Sequence, residues 1–224
     1  MDLKLESLSM FTGIIQDIGT ILSICRNEST LKITFATQLN LKHLELGASI
    51  ACNGCCLTVV SSKSELKYNI FSVEVGPETF QLTNFLNLHV DSFVNLEPAL
   101  KVGDSLGGHH VTGHIDSLCE ILDFHETIKG FFKLTLKIQN KFSRFIIEKG
   151  SIAIGGISLT VVQLSENNLG EMIAEIMIIP HTYHNTILKY YKKGMRIEVE
   201  FDQSIKAIAS LLKSMLPNYI QARK

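Results

Sequence analysis

The chain has no tryptophan, only four prolines, and no run of lysine or arginine longer than two residues. With a formal net charge of -1 over 224 residues, it lacks the basic footprint of a nucleic-acid binder, and its phenylalanines are not interleaved with basic residues. A small uncharged or weakly acidic ligand is the better match. No apolar run approaches membrane-spanning length, and MDLKLESLSM at the start alternates apolar with charged residues rather than forming the apolar core of a signal peptide. The expectation is a soluble, cytoplasmic protein. Five cysteines, an odd number, stand at 25, 52, 55, 56 and 119. Without a secretory signal they read as reduced thiols rather than a disulfide framework.

What is present is a repeat. Shifted by 102 positions, Ser49 to Val60 (SIACNGCCLTVV) lies on Ser151 to Val162 (SIAIGGISLTVV), with eight of the twelve positions identical. Thr12, Gly13 and Ile15 match Thr112, Gly113 and Ile115 at an offset of 100, and Pro77 and Thr79 match Pro180 and Thr182 at 103. Val94 to Glu97 match Ile197 to Glu200 at the same offset of 103. The chain is a tandem duplication, which sets its architecture before any motif is read.

Each half contains about six short segments rich in Val, Ile, Thr and Phe, in the first half GIIQDIGTILSIC, TLKITFA, SIAC, LTVVSS, YNIFSVEV and FVNLE. The pattern predicts an all-β protein of two tandem six-stranded, Greek-key-like β-barrels. A barrel this narrow has no internal cavity, so a ligand belongs on its wall or at its mouth. FQLTNFL and HNTILKYY read as short helices. SIKAIASLLKSML reads as a C-terminal helix capped by Ser204, with an apolar stripe through Ile205, Ile208, Leu212 and Met215. That stripe either folds back on a barrel or meets a neighbouring chain. The division is an extension over 1–9, barrels over 10–109 and 110–203, and the helix over 204–224.

Cys52 and Cys55 form a CxxC, but the repeat replaces them with Ile154 and Ile157, so the positions ask for apolar bulk. A zinc site remains the alternative, with a turn at Asn53-Gly54 joining the thiolates and His109, His110 or His114 completing the set. Cys56 differs, because its counterpart is Ser158. Two residues further on stand Thr58 and Thr160, so each half presents a small polar pair on one strand face. In GGHHVTGHID, residues 107–116, His114 has a stronger claim to function than a linker histidine, since it falls inside the repeated TG-x-I element.

Together these motifs resemble the alpha chain of the riboflavin synthase family. The resemblance runs from MFTGII at Met10 through GASIACNGCCLTVV, PETFQLTN, GGHHVTGHID and GSIAIGGISLTVV to EVEFD. It implies a homotrimer assembled through the C-terminal helix, with a suggested association with lumazine synthase. It also implies a dismutation of two 6,7-dimethyl-8-ribityllumazine molecules that uses no cofactor or metal and gives riboflavin and 5-amino-6-ribitylaminouracil. In the family, one barrel's pocket faces the other barrel's pocket on a neighbouring subunit. By motif, the first pocket takes Gly13, Ile14, Ile15, Cys56, Leu57, Thr58 and the loop Glu74, Val75, Gly76, Pro77, Glu78, Thr79, with Phe11 beside the ligand. The second takes Gly113, His114, Ile115, Lys149, Ser158, Leu159, Thr160 and Met177, Ile178, Ile179, Pro180, His181, Thr182.

The resemblance implies that His114 relays a proton, with His109 as second choice. Cys56, Ser49 or a water held by Ser158 is the transient nucleophile. Gly155 and His181 depart from the family pattern by removing a carboxylate each from the second pocket. This opens the alternative of a non-catalytic carrier of lumazine or flavin. The nine residues before Met10 precede the usual start of the family and are expected to be dispensable.

Overall fold

Strand-forming residues and breaks recur in the same order in both halves, and each half closes on itself. The computed structural model describes residues 9–27 and 29–221. In the first half β1 (Asp17–Arg26), β2 (Leu31–Thr37), β3 (Ser49–Cys52), β4 (Cys55–Ser64), β5 (Asn69–Val75) and β6 (Phe93–Pro98) form a closed barrel in the order β1-β2-β5-β4-β3-β6. The second half repeats this cyclic order with β7 (Ser117–Ile128), β8 (Phe131–Ile138), β9 (Ser151–Ile154), β10 (Ile157–Glu166), β11 (Met172–Ile178) and β12 (Arg196–Phe201). Closure leaves neither sheet an edge to protect.

Bulges fall at matching places in the two barrels. Register shifts lie between Ile21 and Ser23 and between Ile121 and Asp123, and again between Val59 and Ser61 and between Val161 and Gln163. An extra residue bends the strand and raises its twist, which lets a short strand follow a tight barrel. The interiors are filled. Phe35 and Phe71 stack at 5.0 Å in the first, while Leu134, Leu136, Ile138 and Ile176 are fully buried in the second. Only walls, mouths and the seam between barrels remain for a ligand.

Three local expectations change. The first strand begins at Asp17 rather than Gly13, because Gly13 turns at a φ of 74° and leads the chain through Ile15 against the other barrel before Gln16 N returns to Leu96 O. Cys52 ends β3 and Cys55 begins β4. Asn53 and Gly54 form a two-residue hairpin with φ of 49° and 84°, the left-handed pair that suits right-twisted strands. The two cysteines are register partners across it, both buried. Burial pushes both thiols up, and among the described residues no group of three or more metal-ligating side chains forms. They pack the core of the first barrel.

The short helices start earlier than expected, α1 at Pro77–Leu82 and α2 at Pro180–His184, since proline suits the first helical turn. Each is followed by a separate 3-10 turn, at Phe85–Asn87 and Ile187–Tyr190. The terminal helix α3 (Gln203–Gln221) is capped by Asp202, whose Oδ1 accepts from Ser204 N at 2.7 Å, and not by Ser204. A carboxylate there satisfies an orphan amide and complements the helix dipole together. Lys206 anchors the helix to the second barrel through Asp116 at 2.8 Å. Beyond that turn Ile208, Leu211, Leu212 and Met215 are exposed. Among the described residues no helix is long and apolar enough to cross a membrane.

Candidate functional site at the barrel seam

The barrels meet through the residues that the repeat shares. Phe11 and Val111 form an antiparallel bridge, with Phe11 N donating to Val111 O at 2.8 Å and Val111 N to Phe11 O at 3.1 Å. Around it lie buried Ala51 and Ala153. Phe11 is fully buried in this seam. The hairpin tips touch backbone to backbone: a Cβ added at Gly54 would lie 2.7 Å from Gly156 N.

On either side of this axis the halves exchange segments. Glu200 Oε1 accepts from Thr112 N and Thr112 Oγ1, both at 2.7 Å, and its Oε2 accepts from Gly113 N at 2.9 Å. This clamp presents Gly113 O to Cys56 N of the first barrel at 2.9 Å. Glu97 repeats it on Thr12 N, Thr12 Oγ1 and Gly13 N at 2.7, 2.7 and 2.9 Å. Gly13 O then accepts from Ser158 N of the second barrel at 2.8 Å. Ile115 accordingly enters the first barrel's core, and Ile15 packs on the second. The expected grouping is corrected by this exchange. Gly113, His114 and Ile115 belong beside Cys56, while Gly13, Ile14 and Ile15 belong beside Ser158.

The reason for glycine at these turns is contact as well as conformation. A Cβ at Gly113 would lie 2.5 Å from Cys56 Cβ, and one at Gly13 would lie 2.6 Å from Ser158 Cβ. Both clamping glutamates are buried, and burial raises their carboxyls above the usual range against the pull of the threonine hydrogen bonds. Sequence reasoning did not single them out as site residues. The signal was the conserved spacing of each within its repeat, Glu97 against Glu200.

The first half-site is a cavity of about 290 Å³ lined by Cys55, Cys56, Glu78, Thr79, Leu82, Thr83, Gly113, His114 and Ile115. His114, Glu78 and Thr58 are exposed, and Cys56 is half-buried. Burial pushes the Cys56 thiol up, opposed by hydrogen bonds with Ser49 and Ser9. It is therefore a protonated thiol near neutrality, with the imidazole of His114 in the same cavity. Ser49, the β3 register partner of Thr58, joins the site through this contact.

In the second half-site Ser158 Oγ lies 2.7 Å from His109 Nδ1. His109 is buried, which lowers its pKa, while the charge of Asp202 acts in the opposite direction. A neutral imidazole against a hydroxyl can accept its proton or orient a water. Asp202, which closes the EVEFD motif, caps α3 and acts on His109 through its charge.

The remaining candidates divide by strand parity. Leu57, Leu159, Val75 and Ile178 turn into the cores, whereas Thr160, Glu74, Met177 and Ile179 are exposed. Pro77 with Glu78, and Pro180 with His181, start the two short helices, and Gly76 and Ile179 precede them. Thr79 O and Thr182 O accept from Thr83 Oγ1 and Thr186 Oγ1, each at 2.7 Å. Lys149 turns at a φ of 63°, its amide on Val161 O at 2.8 Å, three residues along β10 from Ser158. His181 is exposed near Asn185.

Gly155 lies beside Tyr191. It is buried at the seam, where a Cβ would lie 2.5 Å from Tyr191 Oη, and its counterpart Asn53 spends Oδ1 on Asn95 N at 2.9 Å. The position packs at the seam in both halves. A larger depression of about 800 Å³ also lies between the barrels, lined among others by Asn84 and Phe93 of the first half and Tyr190 and Glu198 of the second. None of the candidate catalytic residues lines it, and Asn84 N is bonded to Glu198 Oε1 at 2.8 Å. Chemistry and repeat symmetry both favour the half-sites at Cys56 and Ser158.

A family model described as lumazine binding domain matches residues 12–99 and 112–202, one copy per barrel. Riboflavin synthase of Bacillus subtilis (strain 168) is 36% identical over 193 residues, covering 86% of this chain and 85% of that protein. Riboflavin synthase of Escherichia coli (strain K12) is 35% identical over 211 residues, covering 92% and 93%. Among solved structures, LumP complexed with 6,7-dimethyl-8-(1'-D-ribityl) lumazine aligns with a TM-score of 0.69 at 26% identity, over 85% of this chain and 98% of that one. LumP complexed with riboflavin gives 0.70 at 25% identity over the same shares. Duplicated barrels, a reciprocal seam and these similarities agree: the chain belongs to the riboflavin synthase family, built from two lumazine-binding domains.

Proposed function

We propose that the protein is a riboflavin synthase, which takes two molecules of 6,7-dimethyl-8-ribityllumazine and moves a four-carbon unit from one to the other. The observation that carries this reading is the pair of related half-sites, each with a nucleophilic side chain, Cys56 or Ser158, held by a glutamate-clamped turn from the opposite half. A dismutation needs two copies of one heterocycle bound in related orientations, and duplicated walls supply them. Positioning of this kind accounts for much of the rate when both reactants are held in place.

One lumazine loses a proton from its C7 methyl group, and the resulting anion is spread over the ring, so a weak base suffices. His114 lines the same cavity as Cys56 and takes that role in our reading. At the other lumazine, Ser158 with His109 orients the nucleophile that adds to C7. The half-sites of one chain are completed by a neighbouring chain. The exposed stripe of α3, Ile208, Leu211, Leu212 and Met215, supports assembly as a homotrimer. We place the protein in the cytoplasm, in keeping with five free cysteines.

The test is to add the lumazine without a cofactor and follow riboflavin absorbance and fluorescence; an active chain produces one riboflavin per two lumazines consumed. The likeness to LumP, over 98% of that chain, favours one second reading, a carrier. Tight binding of the lumazine without turnover would select the carrier and reject the synthase.

A further inference from the structure

The two half-sites share a frame but not their polar partners. In the second, His109 Nδ1 sits 2.7 Å from Ser158 Oγ. His109 and Ser9 are separated by 100 positions, the same offset that relates Thr112 to Thr12, so Ser9 stands where the first half would carry the matching histidine. Ser9 Oγ donates to Ser49 Oγ at 2.6 Å; Ser49 pairs with Thr58 and Ala51 with Cys56, so Ser49 and Cys56 are diagonal neighbours on one face of the β3–β4 ladder, and both serines pull the thiol down against its burial. The next residue is tied down as well, with Met10 O accepting from Leu100 N at 2.7 Å. Residue 9 is thus built into the first half-site, against the expectation that positions 1–9 are all dispensable; residues 1–8 lie outside the described part.

We propose that Ser9, which precedes the repeat, is a positioning residue that orients the Cys56 thiol through a Ser9–Ser49–Cys56 chain, the first half's substitute for the His109–Ser158 pair. The inference rests on the reading that Cys56 faces substrate. A hydroxyl offers a donor and an acceptor but does not take up a proton near neutrality, whereas an imidazole does. The seam thereby supplies one half-site whose nucleophile is bonded to an imidazole and one, its own imidazole His114 being assigned to the substrate's methyl proton, whose nucleophile is aimed by hydroxyls. This asymmetry assigns different roles to two walls that the duplication made alike.

The test uses the full chain and reads Cys56 directly. Alkylation by iodoacetamide is followed against pH by peptide mass spectrometry in the native chain, Ser9→Ala and Ser9→Thr, with exposed Cys25 as the internal reference. The thiolate is the reacting species, and the two serines pull the thiol down against its burial. Removing one of them is expected to move the Cys56 profile up by about half a pH unit to one unit and to slow alkylation about threefold to tenfold at fixed pH. Ser9→Thr restores the native profile. Identical Cys56 profiles in the native chain and Ser9→Ala overturn the inference, and so does a Ser9→Thr chain that behaves like Ser9→Ala. Because alkylation needs no turnover, a chain that shows the shift but is inert toward the lumazine refutes the synthase reading and leaves the positioning role standing.

Discussion

Replacing Gly113 by alanine separates contact from conformation at the seam, because Gly47 provides a matched control. Both glycines have a positive φ, 81° at Gly113 and 84° at Gly47. A Cβ at Gly47 meets nothing within 4 Å, whereas one at Gly113 would lie 2.5 Å from Cys56 Cβ and 2.9 Å from Cys56 N. Backbone strain alone costs alanine about 1–2 kcal/mol in the left-handed region, and that is the whole expectation for Gly47→Ala. At Gly113 the turn must also retreat by about 1 Å to restore ordinary carbon contact. That retreat breaks the 2.9 Å bond from Cys56 N to Gly113 O, and an unsatisfied buried amide adds about 1–3 kcal/mol. The expected loss is therefore about 2–5 kcal/mol for Gly113→Ala, against about 1–2 for Gly47→Ala. With no tryptophan in the chain, urea unfolding is best followed by far-ultraviolet circular dichroism. Gly113→Ala should also split one transition into two as the barrels lose their coupling. Equal destabilisation by the two substitutions, with one transition in each, would refute the argument that the seam depends on this contact.

Glu200→Gln should cost about 2–3 kcal/mol, since the amide keeps one acceptor but turns a donor toward Gly113 N. Because burial holds the folded carboxyl above its ordinary 4.5, the folded state binds its proton more readily, so stability falls as pH rises from that value through the raised range. The glutamine variant should lose that component of the slope in denaturation at several pH values. His109 has the opposite sign. Its lowered folded pKa, set mainly by burial, keeps the imidazole neutral below 6.5, so the acid limb of turnover should fall below that pH, and His109→Gln should lower turnover about 100-fold. Aspartate at both Leu211 and Leu212 should reduce the oligomeric mass seen by light scattering and reduce turnover with it, while leaving the circular dichroism of the barrels unchanged. Finally, His181→Glu should strengthen ligand binding at the weaker of two calorimetric sites. Two identical sites that ignore the change would place His181 outside the contact shell.

The sequence by itself determined the duplication, the barrel class and the wall positions Cys56 and Ser158, because strand alternation and turn glycines are local and each is written twice. The parity of β4 and β10 could be read from LTVV alone, and Leu57 and Leu159 did turn inward while Thr58 and Thr160 turned outward. The clamping role of Glu97 and Glu200 was not legible, although both were matched in the repeat, since their partners Thr12 and Thr112 lie at separations of 85 and 88 residues. Only the tertiary structure decided that TG-x-I from each half serves the opposite barrel. The exchange depends on two turns crossing at one seam, and an offset in sequence is the same whether the crossing occurs or not. The same crossing buries Gly155 and Phe11 at the seam. It also brought Ser9, written outside the repeat, into hydrogen-bond reach of Ser49, beside Cys56.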